Sequence, residues 1–294
     1  MRIIILGAAA GGGVPQWNCG CANCGDARSG AISPMTQSSI AVSVDGERWL
    51  IVNASPDIRT QLAATPALYP RELRGSPIEA VLLTNGDVDH IAGLLTLREG
   101  TPFRLLATNE ILNVIAENPI FGVLRPDLVP RRAIEIGAAF DVAGLEVEAF
   151  SVPGKVPLYK EAGEVKTDEI GEKTIGLRLS AGGATAIYAP GCALVTDDLR
   201  ARAAAADLLL FDGTVWENAE MPNQGVGPKT GRRMGHVPIA GEGGSMNAFD
   251  GASCDKVYVH INNTNPILQP DGPERAALAA AGWGVAFDGM EISL

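Results

Sequence analysis

The chain has 294 residues, of which 46% are hydrophobic and 19% are charged. This composition excludes global disorder and supplies enough apolar side chains for a large core. The formal net charge of -11 argues against nucleic acid as a partner, because phosphate binding requires clustered lysines and arginines. No segment approaches the roughly 20 consecutive apolar residues of a membrane-spanning helix, so we expect no membrane insertion.

Short apolar runs rich in β-branched residues recur along the chain, each bounded by glycine, proline, asparagine or aspartate. In chain order they predict strands at Ile3–Leu6, Ser39–Val44, Arg48–Asn53, Ala80–Leu83, Ile187–Tyr188, Leu208–Phe211 and Val257–Val259. Helices are predicted at Ile58–Leu68, Ile91–Arg98, Glu110–Glu117, Thr196–Ala205 and Pro273–Ala281. The alternation predicts a single α/β domain over residues 1–294. The short turn between the second and third strands adds an antiparallel hairpin, so the sheets should be mixed.

A glycine-rich segment, Gly7–Gly13, follows the first predicted strand. We interpret the apolar start of the chain as a buried strand rather than as a cleaved signal peptide. The segment does not fit the dinucleotide fingerprint G-x-G-x-x-G, and Val14-Pro15 blocks the helix that would bind a pyrophosphate. It is better interpreted as a flexible connector to a cysteine-rich loop at residues 14–26.

Three of the five cysteines, Cys19, Cys21 and Cys24, form a C-x-C-x-x-C cluster. Thiolates this close can converge on one metal ion, usually structural zinc held at about 2.3 Å from each sulfur. A redox pair is the alternative, but no thioredoxin-like strand-to-helix context surrounds it. The local sequence offers no fourth ligand, which must come from elsewhere or from solvent.

The remaining cysteines, Cys192 and Cys254, are expected to be core residues. An odd number of cysteines does not indicate a disulfide framework, so we expect a reducing cytoplasmic environment.

The chain has only three histidines: His90, His236 and His260. His90 follows Asp89 between a predicted strand and a predicted helix, and His260 directly follows a strand; α/β proteins build sites at such strand ends. If Asp89, His90 and His260 converge, they form the two-histidine, one-carboxylate set typical of non-haem Fe(II), and Asp87 could add an oxygen ligand. A hydrolytic di-zinc site would require more imidazoles.

This pattern resembles the metallo-β-lactamase-fold superfamily. Thr84–His90 stands where that fold carries its H-x-H-x-D-H signature, with Asn85 and Asp87 in place of the first two histidines. At the fold's other ligand positions, Lys155 replaces a histidine and Cys192 replaces the bridging carboxylate, whereas His260 matches the C-terminal histidine. Within the superfamily, essentially the whole chain resembles the pyrroloquinoline quinone (PQQ) biosynthesis protein B family. The motifs that carry this resemblance include Pro15–Cys19, Asn53–Asp57, Phe211–Thr214, Met234–His236 and His260–Pro266.

The resemblance implies a four-layer αββα sandwich, a cysteine-bound structural zinc near a homodimer contact, and a cytoplasmic role in making PQQ. In related phosphodiesterases the fourth zinc ligand is a histidine three residues after the C-terminal site histidine; Asn263 holds that position here. The resemblance also implies two alternative functions. One is the Fe(II)- and O₂-dependent hydroxylation of the tyrosine-derived ring of a Glu–Tyr precursor, and the other is non-catalytic transport of PQQ or its precursor to the periplasm.

The residue inventory favours the oxygenase, and a metal-dependent phosphodiesterase is the weakest alternative because histidines are few. On the oxygenase hypothesis, His236 and Asp212 transfer protons or hold the polar end of the substrate. Lys155, Arg232 and Arg233 pair with substrate carboxylates, or else are ordinary surface charges. The native metal stays open, since Zn²⁺ or Mn²⁺ could replace Fe²⁺ at such a site.

Overall fold

The computed structural model describes all residues, Met1–Leu294. The strands are β1 Arg2–Gly7, β2 Ser39–Ser43, β3 Trp49–Val52, β4 Ile78–Leu82, β5 Arg104–Ala107, β6 Arg131–Ala133, β7 Ala139–Val142, β8 Leu145–Ser151, β9 Ile175–Ala181, β10 Ala184–Ala189, β11 Leu208–Asp212, β12 Asp255–Val259, β13 Trp283–Val285 and β14 Glu291–Ser293. The helices are α1 Ala22–Ser29, α2 Ile58–Ala64, α3 Val88–Ile91, α4 Asn109–Glu117, α5 Asp197–Ala204, α6 Glu220–Asn223, α7 Gly231–Met234, α8 Ser245–Ala248 and α9 Pro273–Ala280.

The strands form two seven-stranded sheets, ordered β14-β1-β2-β3-β4-β5-β6 and β13-β12-β11-β10-β9-β8-β7. In the first sheet β14, β1, β2 and β3 pair antiparallel, and β3 to β6 pair parallel. In the second sheet β10 to β13 pair parallel, and β7 to β10 pair antiparallel. Both sheets are therefore mixed, as the sequence predicts.

Strand β1 shows why the strands are apolar along their whole length. Ile3 and Ile5 point into the core between the sheets. Ile4 and Leu6 point to the opposite face, where they belong to a second apolar cluster that includes Ile58 of α2. Side chains of a strand alternate between faces, so a strand covered on both sides reads as a continuous apolar run. Helices cover the outer face of each sheet, which confirms the predicted four-layer αββα architecture.

Two predicted helices differ from the structure. The helix predicted over Ile58–Leu68 ends at Ala64, because Pro66 cannot continue it, and a separate 3-10 turn follows. The segment predicted as a helix over Ile91–Arg98 is mostly a 3-10 run at Ala92–Arg98. Gly93 packs there against the backbone of the 54–55 segment, where an added Cβ would lie 2.0 Å from the Ser55 carbonyl oxygen. No helix in the structure combines the length and the apolar character that crossing a membrane requires.

Candidate metal centre

Three strand ends meet at one edge of the sandwich. The segment after β4 carries Asp89 and His90, Asp212 is the last residue of β11, and His260 directly follows β12. β11 and β12 run parallel with Asp212 opposite Val259, so their carboxyl ends lie side by side. The loop after β4 belongs to the other sheet, and the candidate site therefore lies between the two sheets.

Asn53 fixes the start of the loop after β4. It is fully buried and has a left-handed backbone with φ of 63°, a conformation that asparagine tolerates better than most residues. Its side-chain oxygen accepts a hydrogen bond from the Thr84 backbone N–H at 2.9 Å, and its amide lies 2.9 Å from the Thr84 hydroxyl. The Ala54 N–H donates to the His90 carbonyl at 2.8 Å, which positions the helical turn that carries His90.

Asp89, His90 and His260 converge, as the sequence predicts. The Asp89 Oδ2 atom lies 3.1 Å from His260 Nε2 and 3.9 Å from His90 Nε2. The three residues form a group whose ligand atoms all lie within 4.8 Å of one another. Asp87 lines the same cavity but stands outside this group, and its carboxylate accepts a hydrogen bond from the Leu158 N–H at 3.2 Å.

The surroundings of the His90 side chain show whether Asp89, His90 and His260 fit a metal ion. The Asn85 side-chain oxygen accepts a bond from the Asp87 N–H at 2.9 Å, and the same oxygen lies 2.7 Å from His90 Nδ1. Because a carbonyl oxygen only accepts, Nδ1 carries the proton and Nε2 carries a lone pair. That Nε2 atom is buried and has no hydrogen-bond partner. A buried nitrogen lone pair without a partner, next to a carboxylate, is what a metal ion would satisfy.

The Thr214 hydroxyl orients the second histidine ligand. Its oxygen lies 2.6 Å from Asp212 Oδ1 and 2.8 Å from His260 Nδ1. A hydroxyl has one proton, and the carboxylate can only accept, so Thr214 donates to Asp212 and accepts from His260 Nδ1–H. His260 Nε2 therefore faces Asp89, and a cation between the two atoms would satisfy both. His260 itself has a left-handed backbone, with φ of 55°.

Asp212 serves as the anchor of this network rather than as a ligand. Its Oδ2 accepts from His236 Nδ1 at 2.7 Å and from the Cys192 N–H at 2.9 Å. Its Oδ1 accepts from the Thr214 backbone and hydroxyl at 3.0 and 2.6 Å. Asp212, His236 and His260 also lie close enough together to hold a metal. The hydrogen bonds already occupy the Asp212 oxygens and the facing imidazole nitrogens, so this second group is a hydrogen-bond network.

Burial and charge adjust the ionisation of His90 and Asp89 toward metal binding, whereas at His260 burial is outweighed by the hydrogen bond and charge of Asp89, which raise the pKa of that imidazole. Burial lowers the pKa of His90 to about 4, so its imidazole is neutral at pH 7. Burial opposes ionisation of Asp89, but the neighbouring His90 and His260 outweigh it and hold the pKa of that carboxyl below its usual range. Burial, together with the charge of Asp89, raises the pKa of Asp87. Neutral imidazole and ionised carboxylate are the forms that bind metal.

A cavity of about 200 Å³ opens in front of these residues, and its wall includes Lys155, Lys229 and His236. Lys155 forms an ion pair with Glu161 at 3.1 Å, whereas Lys229 forms no ion pair.

The two predicted arginines do not line this cavity. Arg232 is exposed, and Arg233 bonds to Glu161 at 2.9 Å. Sequence analysis missed Lys229, since nothing in its local sequence distinguishes it from a surface lysine.

The cysteine cluster forms a second candidate site. Cys19, Cys21 and Cys24 have sulfurs within 4.8 Å of one another, and Cys21 is the residue directly before α1. The Arg28 guanidinium donates to the Cys19 carbonyl at 2.6 Å, which closes the loop onto the helix. The side-chain amide of Asn263 lies 3.1 to 3.5 Å from all three sulfurs. The structure thus brings the predicted sulfur ligands together and adds a polar group from the segment after His260.

The other two cysteines lie in the hydrophobic core, as expected. Burial raises the pKa of both thiols. Cys192 contributes to the site only through its backbone N–H, which holds Asp212.

Comparisons with known proteins agree on one family. A model described as the beta-lactamase superfamily domain matches residues 48–261. The chain is 57% identical over 295 residues to coenzyme PQQ synthesis protein B of Ruegeria pomeroyi and 58% identical over 302 residues to that of Methylobacterium nodulans, with 100% of each chain covered. The crystal structure of Zn²⁺-bound PqqB from Methylobacterium extorquens matches with a TM-score of 0.98 at 56% identity, covering 100% of both chains.

A diphosphatase from the PhnP family shares the fold, with a TM-score of 0.70 at 19% identity over 100% of this chain and 97% of that one. The chain therefore belongs to the β-lactamase superfamily and, within it, to the family of coenzyme PQQ synthesis protein B.

Proposed function

We propose that this chain acts in PQQ biosynthesis as an iron-dependent oxygenase that hydroxylates the tyrosine-derived ring of a Glu–Tyr precursor. The names of its relatives support the pathway. The observation that carries the reaction type is the convergence of Asp89, His90 and His260, with the partnerless His90 Nε2, beside an open cavity. Fe(II) held by two histidines and one carboxylate would keep positions free for O₂ and substrate and would activate O₂, the oxidant of the hydroxylation, whose second oxygen atom leaves as water with two electrons from an added reductant.

The protein's own residues position the reactants around this centre. Asn85 and Thr214 hold the Nδ1 protons of His90 and His260, so each Nε2 lone pair faces Asp89. His236 is held in the same way by Asp212 at 2.7 Å. The remaining nitrogen of His236 is free of hydrogen bonds to the protein and can accept the proton of a phenol in the cavity.

Charge in the cavity suits an acidic substrate. Lys155 and Lys229 lie on the wall of the cavity of a chain whose net charge is -11. Glu161 partly neutralises Lys155, which leaves Lys229 as the cation best placed to pair with a carboxylate. A Glu–Tyr dipeptide carries carboxylates remote from its ring, so its binding would direct the ring toward Asp89, His90 and His260.

Transport without catalysis is the alternative that the same site allows. Four positions that carry metal ligands in the superfamily pattern hold Asn85, Asp87, Lys155 and Cys192 here. A phosphodiesterase has less support, because the hydrogen bonds on Asp212 leave no second group of free metal ligands.

The test is an anaerobic reconstitution with Fe(II), followed by O₂, a Glu–Tyr dipeptide and ascorbate as the two-electron reductant, with products identified by mass spectrometry. We expect a product heavier by roughly 16 Da, one oxygen atom, from the wild type and none from His90→Ala. Lys166→Ala is the matched control, since Lys166 is a surface residue whose side chain is 75% exposed. Absence of product from wild-type protein that holds iron and binds PQQ tightly would reject the oxygenase and leave transport.

A further inference from the structure

The side chain of Asn263 covers the three sulfurs of the cysteine cluster. Its amide nitrogen lies 3.1 Å from Cys19 Sγ, 3.5 Å from Cys21 Sγ and 3.4 Å from Cys24 Sγ, and the residue is buried. One polar group at similar distances from three sulfurs marks the apex of a four-atom cage. A tetrahedral zinc site with bonds of about 2.3 Å to sulfur and about 2.1 Å to oxygen has sulfur-to-oxygen edges of roughly 3.6 Å. The observed spacing is close to that cage.

The two ends of an asparagine amide have nearly the same shape, so a half-turn of the amide exchanges nitrogen and oxygen. After such a turn the Asn263 oxygen would occupy the position that now lies near the sulfurs. The backbone carbonyl of Asn263 is less well placed, because it lies near Cys21 Sγ alone, at 3.6 Å, and already accepts a hydrogen bond from the Asn23 amide at 2.9 Å. Three thiolates and a neutral oxygen leave one net negative charge around Zn²⁺, and the Arg28 guanidinium bonds to the same loop at the Cys19 carbonyl.

The same residue stands three positions after His260. Backbone hydrogen bonds hold the two residues between them. The Ile261 N–H donates to the Ala8 carbonyl at 2.9 Å, and the Asn262 N–H donates to the Thr214 carbonyl at 3.1 Å. His260 itself holds a left-handed backbone, a strained conformation for a non-glycine residue that persists only where its surroundings fix it. A metal bond to the Asn263 side chain would be an additional constraint on the backbone conformation of His260.

We propose that Asn263 supplies the fourth, oxygen ligand of the cysteine site, and that metal bound there holds the backbone that presents His260. The cysteine loop then does more than stabilise its own surface, because it couples one metal site to the other. The second half of this inference rests on the proposed metal centre at Asp89, His90 and His260.

The first measurement is zinc affinity, determined by chelator competition on the full-length protein. Asn263→Ala should weaken zinc binding about 10- to 100-fold, and Asn263→His, which offers a nitrogen ligand, should restore it. Asn18→Ala is the matched control, since Asn18 is an exposed amide on the same loop. X-ray absorption at the zinc edge should show three sulfurs and one light atom. Wild-type zinc affinity in Asn263→Ala, or a site in which only sulfur is found, would overturn the ligand assignment.

The second measurement is Mn²⁺ binding to protein with and without zinc at the cysteines. The electron paramagnetic resonance signal of free Mn²⁺ reports how much of the ion remains unbound. Mn²⁺ prefers oxygen and nitrogen ligands and so reports on the Asp89 centre. We expect Asn263→Ala, or loss of zinc, to weaken Mn²⁺ binding about 10-fold. His260→Ala is the reference variant, in which Mn²⁺ binding at this centre should be abolished. Weaker zinc binding with unchanged Mn²⁺ binding would overturn the coupling. Neither readout requires turnover, so both stand apart from the success or failure of the oxygenase.

Discussion

Replacing Thr214 with valine is the most direct test of how the metal centre is assembled. Valine has nearly the shape of threonine but lacks the hydroxyl that donates to Asp212 at 2.6 Å and accepts from His260 Nδ1 at 2.8 Å. The substitution leaves the buried His260 Nδ1–H without a partner, at a cost of about 1–3 kcal/mol. It also frees the imidazole to carry its proton on Nε2, which cannot then bind metal. Loss of such a supporting bond weakens metal affinity about 10- to 100-fold.

The assay is Mn²⁺ binding to zinc-loaded protein, measured by the resonance of free Mn²⁺, with melting temperature as the check on folding. Thr214→Ser is the matched control, because serine keeps the hydroxyl and should bind Mn²⁺ nearly as wild type does. If Thr214→Val remains folded and binds Mn²⁺ within about threefold of wild type, the hydroxyl does not set the His260 tautomer and the argument fails.

Three further outcomes follow from the same geometry. Burial raises the pKa of Glu220 from 4.5 to about 7. The folded chain therefore holds a proton there that the unfolded chain has lost, and the resulting stability is present below pH 4.5 and disappears as pH rises to 7. In urea titrations from pH 5 to 8, the free energy of unfolding of the wild type should fall by on the order of 3 kcal/mol more than that of Glu220→Gln. The same pH dependence in both proteins would contradict the role of Glu220. Mn²⁺ at about 100 times its Kd should stabilise the wild type by about 2.7 kcal/mol, seen as a higher Tm, and should leave His90→Ala unaffected. Lys229→Met should weaken binding of the Glu–Tyr dipeptide about tenfold by calorimetry, whereas an equal loss in Lys166→Met would show that only general charge matters.

Much of the fold and of the metal groups could be predicted because both follow from local sequence rules. Strands covered on both faces are continuous apolar runs, so β1, β4, β11 and β12 are visible in the sequence. Functional side chains follow the carboxyl ends of such strands, which is why Asp89, His90 and His260 could be expected to meet. The spacing of the three cysteines likewise predicted their convergence without knowledge of the fold.

The residues that sequence analysis missed act through contacts that are distant in sequence. Thr214 lies 46 residues from His260, and no periodicity links them. The local signals were its place in the Phe211–Thr214 motif and its position two residues after Asp212, whose side chain accepts the Thr214 N–H as in an aspartate turn. The predicted Arg232 and Arg233 fail to line the cavity because α7 turns by about 100° per residue, so chain neighbours of His236 project in different directions.

The departures from the superfamily's two-metal pattern have a common consequence. Asn85, in place of a histidine, holds the Nδ1 proton of His90. Cys192, in place of a bridging carboxylate, offers a buried thiol whose pKa is raised, and only its backbone N–H reaches Asp212, the anchor of Thr214. Lys155, in place of another histidine, brings a positive charge to the cavity wall and would repel a second cation. All three substitutions remove a ligand for a second metal ion, and Asn85 in addition supplies the hydrogen bond that orients His90, which favours a mononuclear centre with an open side toward the cavity.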